Sequence, residues 1–319
     1  MIGGMSIPMR LRRAVARRLP APAKRVLRQI LPARLLAWQP VVRRFSLAMP
    51  APPAGLGPTV RPAAQPVRVV VEAPFRSYVP RLLEDGGVAH YEPETVAAFL
   101  AAISLNDATE VFDVGANVGI FSIIAASTTL ARATGFEPTP QLAETFGAIV
   151  RTNGLTCDVE PIALGTQNGR ATLYLSAKTD SSNSLRAGHR AAMGTVEVPV
   201  ERLDDYVTRT GRRPAVMKID TETTEPDVLS GGLETLRTIR PWVVCEVLAD
   251  TTEAALMAIL RPLGYRFHHL GDGGVPVEAG EIVGDPTWLH RDWLFTADPL
   301  PPAFAAHYTS WLDAIRRTG

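Results

Sequence analysis

The sequence predicts an α/β fold in which a largely parallel sheet of seven strands carries helices on both faces. β-like runs alternate with segments whose apolar residues recur at helical spacing. The first core run, residues 111–114, passes through a glycine turn at residues 115–119 straight into a helical pattern. A polar break at residues 165–169 then leads into residues 171–175, which is typical of a hairpin inserted between the alternating units.

The elements follow from short β-branched runs and from helix start and stop signals. Pro93 suits the first turn of a helix, and Asn153–Gly154 is a suitable left-handed stop. We therefore expect a strand at residues 67–71, core strands at 111–114, 134–137, 157–164, 215–220, 241–247, 265–270 and 292–296, and helices at 94–105, from 120, at 141–152, 226–239 and 252–263.

Length and composition fit one large domain with an appendage, or two small domains. The chain has 319 residues, of which 46% are hydrophobic and 20% charged. No apolar run reaches the roughly 20 residues that a membrane span needs. Cys157 and Cys245 lack metal or redox spacing, so we expect both to be reduced and buried. A soluble, cytoplasmic protein is the resulting expectation.

The net charge of +1 conceals a strongly basic start, because no acid precedes Glu72. Residues 9–49 alternate arginines with apolar clusters cut by prolines, which predicts short basic amphipathic helices suited to an anionic membrane surface. A solvated or docked arm and a targeting peptide are the alternatives. No nucleic-acid motif accompanies the charge, so a nucleic-acid partner is not expected. We expect an arm at 1–49, a Pro-rich linker at 50–66 and a domain at 67–319.

The glycine turn and a later acid together predict a site for an adenosine-bearing ligand. Gly115 and Gly119 leave room where the backbone must bend sharply or approach a bound molecule. About 20 residues beyond the turn the next strand ends at Glu137, and a carboxylate at this spacing can accept both hydrogen bonds of a ribose diol. The spacing fits NAD and S-adenosylmethionine alike. Asn117 stands where the dinucleotide pattern G-x-G-x-x-G has its central glycine, which favours S-adenosylmethionine.

Acidic residues follow the fourth core strand, at the end of the sheet where α/β proteins place their chemistry. Asp220 ends that strand, and Glu222 and Glu225 come directly after it. Lys218 shares a strand face with Asp220, so a purely structural ion pair is the alternative interpretation. The histidines of the chain have no regular ligand spacing, and we predict no metal site; those considered are His268, His269 and His290.

Four motifs occur in a fixed order: residues 113–119, 136–138, 162–165 and 217–220, the last with Glu222 and Glu225. This set resembles the FkbM family of S-adenosylmethionine-dependent methyltransferases between about Tyr91 and Phe295. The resemblance implies a Rossmann-like class I methyltransferase fold. It also implies O-methylation of a hydroxyl on a sugar, glycolipid or secondary metabolite.

The resemblance further implies roles for individual residues. Asp220 is the first candidate for the cofactor side of the site or for the base, and Glu222 is the second. The implied cofactor-binding set is Asp113, Gly115, Asn117, Gly119, Glu137, Ala163, Leu164 and Asp220; the catalytic set is Asp220, Glu222, Lys218 and Glu225; the substrate set is Tyr91, Ser182, Asn183 and Ser184.

The chain departs from the family pattern at one position. Family members usually have glycine after the first glutamate, whereas Thr223 stands there in this sequence. The departure leaves open a catalytically silent binding module with the same fold. A nicotinamide-dependent oxidoreductase is the third possibility, and the missing central glycine of the turn disfavours it.

Overall fold

A twisted sheet covered by helices organises the computed structural model, which describes residues 42–62, 67–271 and 274–319. These residues belong to one compact unit, Val42–Gly319. Most of the predicted basic arm of residues 1–49, namely residues 1–41, lies outside the described residues. Among the helices that are described, none is both long and apolar enough to cross a membrane.

The strands fall into one large and two small sheets. In chain order they are β1 (Val42–Ala48), β2 (Arg68–Pro74), β3 (Glu110–Val114), β4 (Arg132–Phe136), β5 (Cys157–Glu160), β6 (Ala163–Leu164), β7 (Gly169–Ser176), β8 (Ala192–Glu201), β9 (Val216–Ile219), β10 (Trp242–Glu246), β11 (Arg266–His269), β12 (Val277–Ala279) and β13 (Asp292–Thr296).

The helices connect the strands of the large sheet and close the chain. In chain order they are α1 (Tyr78–Gly86), α2 (Pro93–Leu105), α3 (Ile120–Thr128), α4 (Pro140–Asn153), α5 (Leu203–Thr210), α6 (Glu225–Ser230), α7 (Leu233–Thr238), α8 (Glu253–Leu260) and α9 (Phe304–Arg316).

The large sheet has the order β12-β11-β13-β10-β9-β3-β4-β5. The neighbours from β10 to β5 are parallel, whereas β13 lies antiparallel to both β10 and β11. The chain runs outward from β3 through β4 to β5, and then returns to lay β9 and β10 on the other side of β3. The sheet therefore reverses its winding between β3 and β9, and the carboxyl ends of strands at such a switch point border the ligand crevice of Rossmann-like folds.

Apolar side chains of the central strands pack on both faces of the sheet. On β3, Val111 belongs to the core beneath α2, α3, α4 and α9, whereas its neighbour Phe112 belongs to the core beneath α5, α6, α7 and α8. Val244 and Cys245 on β10 divide in the same way. Strands buried on both faces have continuous apolar runs rather than alternating ones. That property made these strands recognisable in the sequence.

The number and membership of the strands differ in part from the expectation. In the described residues the sheet has eight strands, because β12 adds a short antiparallel edge next to β11. The predicted strand at 157–164 is two strands: β5 lies in the large sheet, and β6 pairs with β8 in a separate three-stranded sheet. Pro161 lies between them and has no N–H with which to continue a ladder. The predicted hairpin strand, β7, pairs with β8 rather than with the strand before it.

One predicted helix is also divided. Residues 226–239 form α6 and α7, which are separated at Gly231 and Gly232. A Cβ at Gly231 would overlap the carbonyl oxygen of Gly165, and one at Gly232 would overlap the side chain of Leu203. The break therefore lets the chain pass close to two neighbouring segments, which a continuous helix with ordinary side chains would not do.

The N-terminal boundary of the domain lies earlier than expected. The predicted strand at 67–71 is β2, and it pairs along its whole length with β1, which falls inside the segment expected to be an arm. Residues of the predicted linker also pack: Leu56 and Val60 are buried, and Val60 forms a bridge with Thr129. The compact unit thus begins at Val42 rather than at residue 67, because apolar side chains in this stretch join the main core.

Candidate active site

The turn between β3 and α3 adopts the left-handed conformation that its sequence suggests. The φ angles are 82° at Gly115, 54° at Asn117 and 80° at Gly119. A Cβ at Gly115 would overlap the carbonyl oxygen of Asp220, and one at Gly119 would overlap the ring of Phe146. The two glycines therefore let the turn pack against its own neighbours, β9 and α4, in addition to supplying the backbone conformation.

Glu137 connects the end of β4 to this turn. The backbone N–H of Asn117 donates to its Oε2 over 2.8 Å, and that of Thr139 donates to its Oε1 over 2.7 Å. Burial raises the pKa of Glu137 to about 7, although these hydrogen bonds oppose the shift. Each carboxylate oxygen has two acceptor lone pairs, so either can still accept a hydroxyl from a ligand.

Asp113, on β3, holds the other side of the turn. Its Oδ2 accepts hydrogen bonds from the backbone N–H of Ser122 at 2.9 Å and from the Ser122 hydroxyl at 2.8 Å. These bonds place a carboxylate against the first turn of α3, where backbone N–H groups have no partner in the helix. Burial raises the pKa of Asp113 to about 6 in spite of both bonds. Hydrogen bonds to the carboxylates of Asp113 and Glu137 thus hold the turn in place.

A single cavity beside the turn collects most of the residues expected in the site. Asp220, Glu222 and Lys218 line it at the end of β9, and Glu137 lines it directly after β4. Gly119, Ser182 and Glu225 do not line it in the described part of the chain, and Asp180 and Ser181 line it beside the position expected for Ser182. The expected residues that do line it are Tyr91, Asp113, Gly115, Asn117, Glu137, Ala163, Leu164, Asn183, Ser184, Lys218, Asp220 and Glu222.

The polar segment at residues 180–184 is held by hydrogen bonds from three directions. Asp180 accepts from the backbone N–H of Tyr78 at 2.9 Å, and Asn183 accepts from that of Ser176, also at 2.9 Å. The Ser184 hydroxyl donates to the carbonyl oxygen of Glu222 at 2.6 Å. Because the Ser184 hydroxyl is used in this way, its first role is to fix the segment against the acidic turn.

Lys218 is the buried cation of the site. Its Nζ lies 3.0 Å from Oδ1 of Asp292 and 3.6 Å from Oδ2 of Asp220, and only 1% of its side chain is exposed. Burial lowers the pKa of Lys218, but the carboxylates of Asp292 and Asp220 raise it more, and the result is well above the usual value. Lys218 therefore stays an ammonium, and it serves the site as a fixed positive charge rather than as a proton acceptor.

The turn after Asp220 has a conformation that favours glycine. Glu222 has a φ of 54° and Thr223 a φ of 93°. Glu225 stabilises the turn, because its Oε1 accepts hydrogen bonds from the backbone N–H groups of Thr221 at 2.8 Å and of Thr223 at 3.2 Å. Thr223 thus occupies, as a β-branched residue, a backbone position that side chains rarely adopt. The position at which the sequence departs from the family pattern is therefore also a position of local backbone strain.

We expect Thr223→Gly to raise the free energy of unfolding by about 1 kcal/mol, as relief of the φ strain exceeds the entropy that glycine gains in the unfolded chain. Thr223→Ala is the matched control. It removes the hydroxyl that lies 3.3 Å from Ser184 Oγ but keeps a Cβ at φ 93°, so we expect it to be less stable than the wild type. Urea denaturation measures both changes. A glycine variant less stable than the alanine variant would contradict this account.

Several residues in this region were not singled out from the sequence. The imidazole of His189 lies 3.0 Å from Oε2 of Glu222, and both side chains are largely buried. Glu246 ends β10 and is paired with Arg291. Glu92 differs from these residues, because the sequence already marked it, next to Tyr91, as an acid at a helix start; it lines the cavity, and burial raises its pKa to about 8. Glu246 could have been found, because it ends the fifth core strand as Asp220 ends the fourth; His189 and Arg291 lie in loops without a pattern.

Tyr91 and the histidines can also be placed. Tyr91 lines the cavity, and burial together with the charge of Glu92 raises its pKa well above the usual value. His268 is hydrogen-bonded to the Thr296 hydroxyl at 3.0 Å, and His269 to the carbonyl oxygen of His290 at 3.0 Å. Each imidazole therefore has a hydrogen-bond partner on β13 or in the loop before it.

Comparison with known proteins gives a family match for the segment that contains most of the residues lining this cavity. Residues 113–267 match the methyltransferase FkbM domain. That segment contains the glycine turn, Glu137 and the acids after β9, which are the motifs on which the resemblance depends. No curated protein matches the chain.

Solved structures similar to this chain include three methyltransferases of low sequence identity. Methyltransferase FkbM from Methylobacillus flagellatus KT has 15% identity and a TM-score of 0.38, with 60% of this chain and 44% of that chain covered. A SAM-dependent methyltransferase from Agrobacterium tumefaciens has 11% identity and a TM-score of 0.41, with 76% and 71% covered. The T. thermophilus 16S rRNA N2 G1207 methyltransferase, solved with AdoMet and guanosine, has 11% identity and a TM-score of 0.43, with 80% and 50% covered.

The segment that matches the family and the candidate site occupy the same part of the chain. This chain spans less than half of the Methylobacillus flagellatus protein, so the likeness does not extend over that whole molecule. The match at residues 113–267 confirms the resemblance found in the motifs. Residues 113–267 of this chain therefore match the methyltransferase FkbM domain, as their motifs indicated.

Proposed function

We propose that this chain transfers the methyl group of S-adenosylmethionine to a hydroxyl oxygen of a sugar, glycolipid or secondary metabolite. The observation that carries the proposal is that one cavity is lined by two groups of residues, which form the two halves of the candidate site. The glycine turn with Glu137 forms one half, and Asp220 with Glu222 forms the other. A ligand gripped at its ribose by Glu137 would direct the rest of its length toward the acids.

The first half suits the nucleoside. Glu137 would accept the two ribose hydroxyls, since each of its oxygens has acceptor capacity beyond its backbone hydrogen bond. Ala163 and Leu164, buried on β6, would border the adenine. Asp113 would reach the amino group of the methionine part directly or through water. Asp220 would stand on the cofactor side, where a carboxylate favours the positive charge of the sulfonium.

The second half suits removal of a proton. S-adenosylmethionine would supply the methyl group; on its transfer to the acceptor oxygen the carbon–sulfur bond would break and a neutral thioether would leave. The hydroxyl proton then passes to Glu222. Burial and the charge of Asp220 raise the pKa of Glu222 to about 7, which matches a general base working near neutral pH. Burial and the neighbouring arginines Arg190 and Arg186 lower the pKa of His189, so a neutral imidazole would orient Glu222 by hydrogen bonding.

Calorimetry with S-adenosylmethionine and with NAD tests the cofactor. We expect binding of the first and none of the second. The acceptor is then sought by adding protein and S-adenosylmethionine to cell extract, with the expectation that S-adenosylhomocysteine accumulates and that one metabolite gains the mass of a methylene group. Tighter binding of NAD would reject the proposal. Binding of S-adenosylmethionine without turnover on any acceptor would favour the catalytically silent module.

We also propose that the part of the expected arm that precedes β1, residues 9–41, contacts anionic membranes, on the strength of its arginine and apolar pattern. Removal of residues 1–41 is the suitable test, because a deletion to residue 66 would also remove β1, the pairing partner of β2. We expect the truncated protein to lose sedimentation with phosphatidylglycerol vesicles and to keep its cofactor affinity. Unchanged sedimentation would end this proposal.

A further inference from the structure

Three carboxylates converge where β9 and β10 end. Asp220 follows β9, Glu225 begins α6, and Glu246 ends β10. One oxygen atom from each lies within 4.8 Å of the others. Asp220 and Glu246 also line the cavity, so the cluster borders the place where the acceptor would lie in the proposed function.

Two of these carboxylates each keep a buried oxygen without a partner. Glu225 uses Oε1 for Thr221 and Thr223, whereas its Oε2 has no hydrogen-bond partner among the described residues. Glu246 uses Oε1 for Arg291, and its Oε2 likewise has no partner in the described part of the chain. The two side chains are 0% and 2% exposed, so bulk water does not reach them. A buried carboxylate oxygen without hydrogen bond or cation is unfavourable.

The charges around the cluster are unbalanced. The cations that face it are Lys218, whose closest carboxylate is Asp292, and Arg291, which is paired with Glu246. Glu222 adds a further acid at the edge.

We propose that Asp220, Glu225 and Glu246 bind one divalent cation of the oxygen-preferring class, represented by Mg²⁺, Mn²⁺ and Ca²⁺. These ions take carboxylate oxygens at about 2.0 to 2.6 Å, so two ligands of one ion lie up to about 5 Å apart. The observed separation is within that span. The unpartnered oxygens of Glu225 and Glu246 supply ligand atoms that the rest of the structure does not use. Expectation from the sequence alone included no metal site, and histidine spacing could not have indicated an all-carboxylate one.

The cation would also restrict which molecules can serve as the methyl acceptor. It would hold an acceptor by a hydroxyl oxygen on the cavity side of Asp220 and lower the pKa of that hydroxyl. A substrate with two adjacent oxygens, such as a vicinal diol, would fill two coordination positions at once. This role rests on the proposed methyl transfer, whereas the binding of the cation does not.

Electron paramagnetic resonance of Mn²⁺ with the full chain, without S-adenosylmethionine, tests the site. We expect one Mn²⁺ per chain, competition by Mg²⁺ and Ca²⁺, and a rise in melting temperature with Mn²⁺. Glu225→Gln and Glu246→Gln should each weaken Mn²⁺ binding by about tenfold or more, because affinity follows the charge of the ligands. Asp220→Asn, at a side chain 30% exposed, gives a third variant if the buried ones fail to fold.

Glu92→Gln is the matched control, since it removes an acid from the same cavity but outside the cluster. We expect its Mn²⁺ affinity to stay within about threefold of the wild type, because affinity follows the charge of the ligands and Glu92 is not one of them. Absence of Mn²⁺ binding at millimolar concentration, or equal loss in the cluster variants and in Glu92→Gln, would overturn the inference. Calorimetry with S-adenosylmethionine alone would still report on the proposed function.

Discussion

Glu137→Gln should weaken binding of S-adenosylmethionine by about 100-fold, the equivalent of one or two hydrogen bonds to a charged group. The amide has one oxygen instead of two. Its NH₂ group would face the backbone N–H of Asn117 or of Thr139, both of which now donate to the carboxylate. The variant therefore loses ligand acceptors and loosens the turn at once. Isothermal titration calorimetry measures the dissociation constant directly.

Glu144→Gln provides the matched control for this change. Glu144 lies seven positions further along the chain, on the exposed side of α4, so its loss of charge touches neither the turn nor the cavity. Melting temperatures of both variants separate loss of the fold from loss of binding. If Glu137→Gln binds the cofactor within twofold of the wild type, the ribose is held elsewhere.

Glu222→Gln should lower kcat by about 10²- to 10⁴-fold, the usual contribution of a general base, with little change in affinity for S-adenosylmethionine. The carboxylate must be deprotonated to accept the hydroxyl proton. Since the pKa of Glu222 is raised to about 7, the rate of the wild type should rise as the pH passes upward through that value. The glutamine variant should lose this dependence. The rate of S-adenosylhomocysteine formation as a function of pH measures both effects.

His189→Asn tests the same base through its neighbour. His189 contacts Glu222 but does not line the cavity in the described residues, so we expect it to position the carboxylate rather than to touch the substrate. The midpoint of the pH profile should move, whereas the affinity for the cofactor should not.

An unaltered pH profile in Glu222→Gln would instead assign the proton transfer to another group, with Asp220 as the next candidate.

The sequence predicted the strand, the glycine turn and the position of Glu137 because these parts are close along the chain. The strand, the turn and the start of α3 are adjacent segments, and Glu137 follows after a single helix and strand. The left-handed angles at Gly115 and Gly119 confirm the conformation expected there. The sequence did not reveal that the missing Cβ atoms make room for Asp220 and Phe146, since those contacts depend on how β9 and α4 pack.

The acidic half was predicted only in part. Asp220 and Glu222 were visible as acids after a core strand, but His189 and Arg291 come from loops whose position depends on the long connections around β8 and β13. The pairing of β7 with β8 and of β1 with β2 was missed for a related reason. A short β-like run indicates a strand but does not identify its partner, because many partners satisfy the same pattern.

The amino-acid sequence by itself determined the alternation of strands and helices, the turn that begins α3, and the acids that end β4 and β9, because each depends on local backbone preference and apolar spacing. Only the tertiary structure decided which acids meet. Asp220, Glu225 and Glu246 come together because β9 and β10 are parallel neighbours whose carboxyl ends share one edge of the sheet. Burial at that edge, which no local pattern encodes, raises the pKa of Glu225 and of Glu246, and one oxygen of each has no hydrogen-bond partner among the described residues.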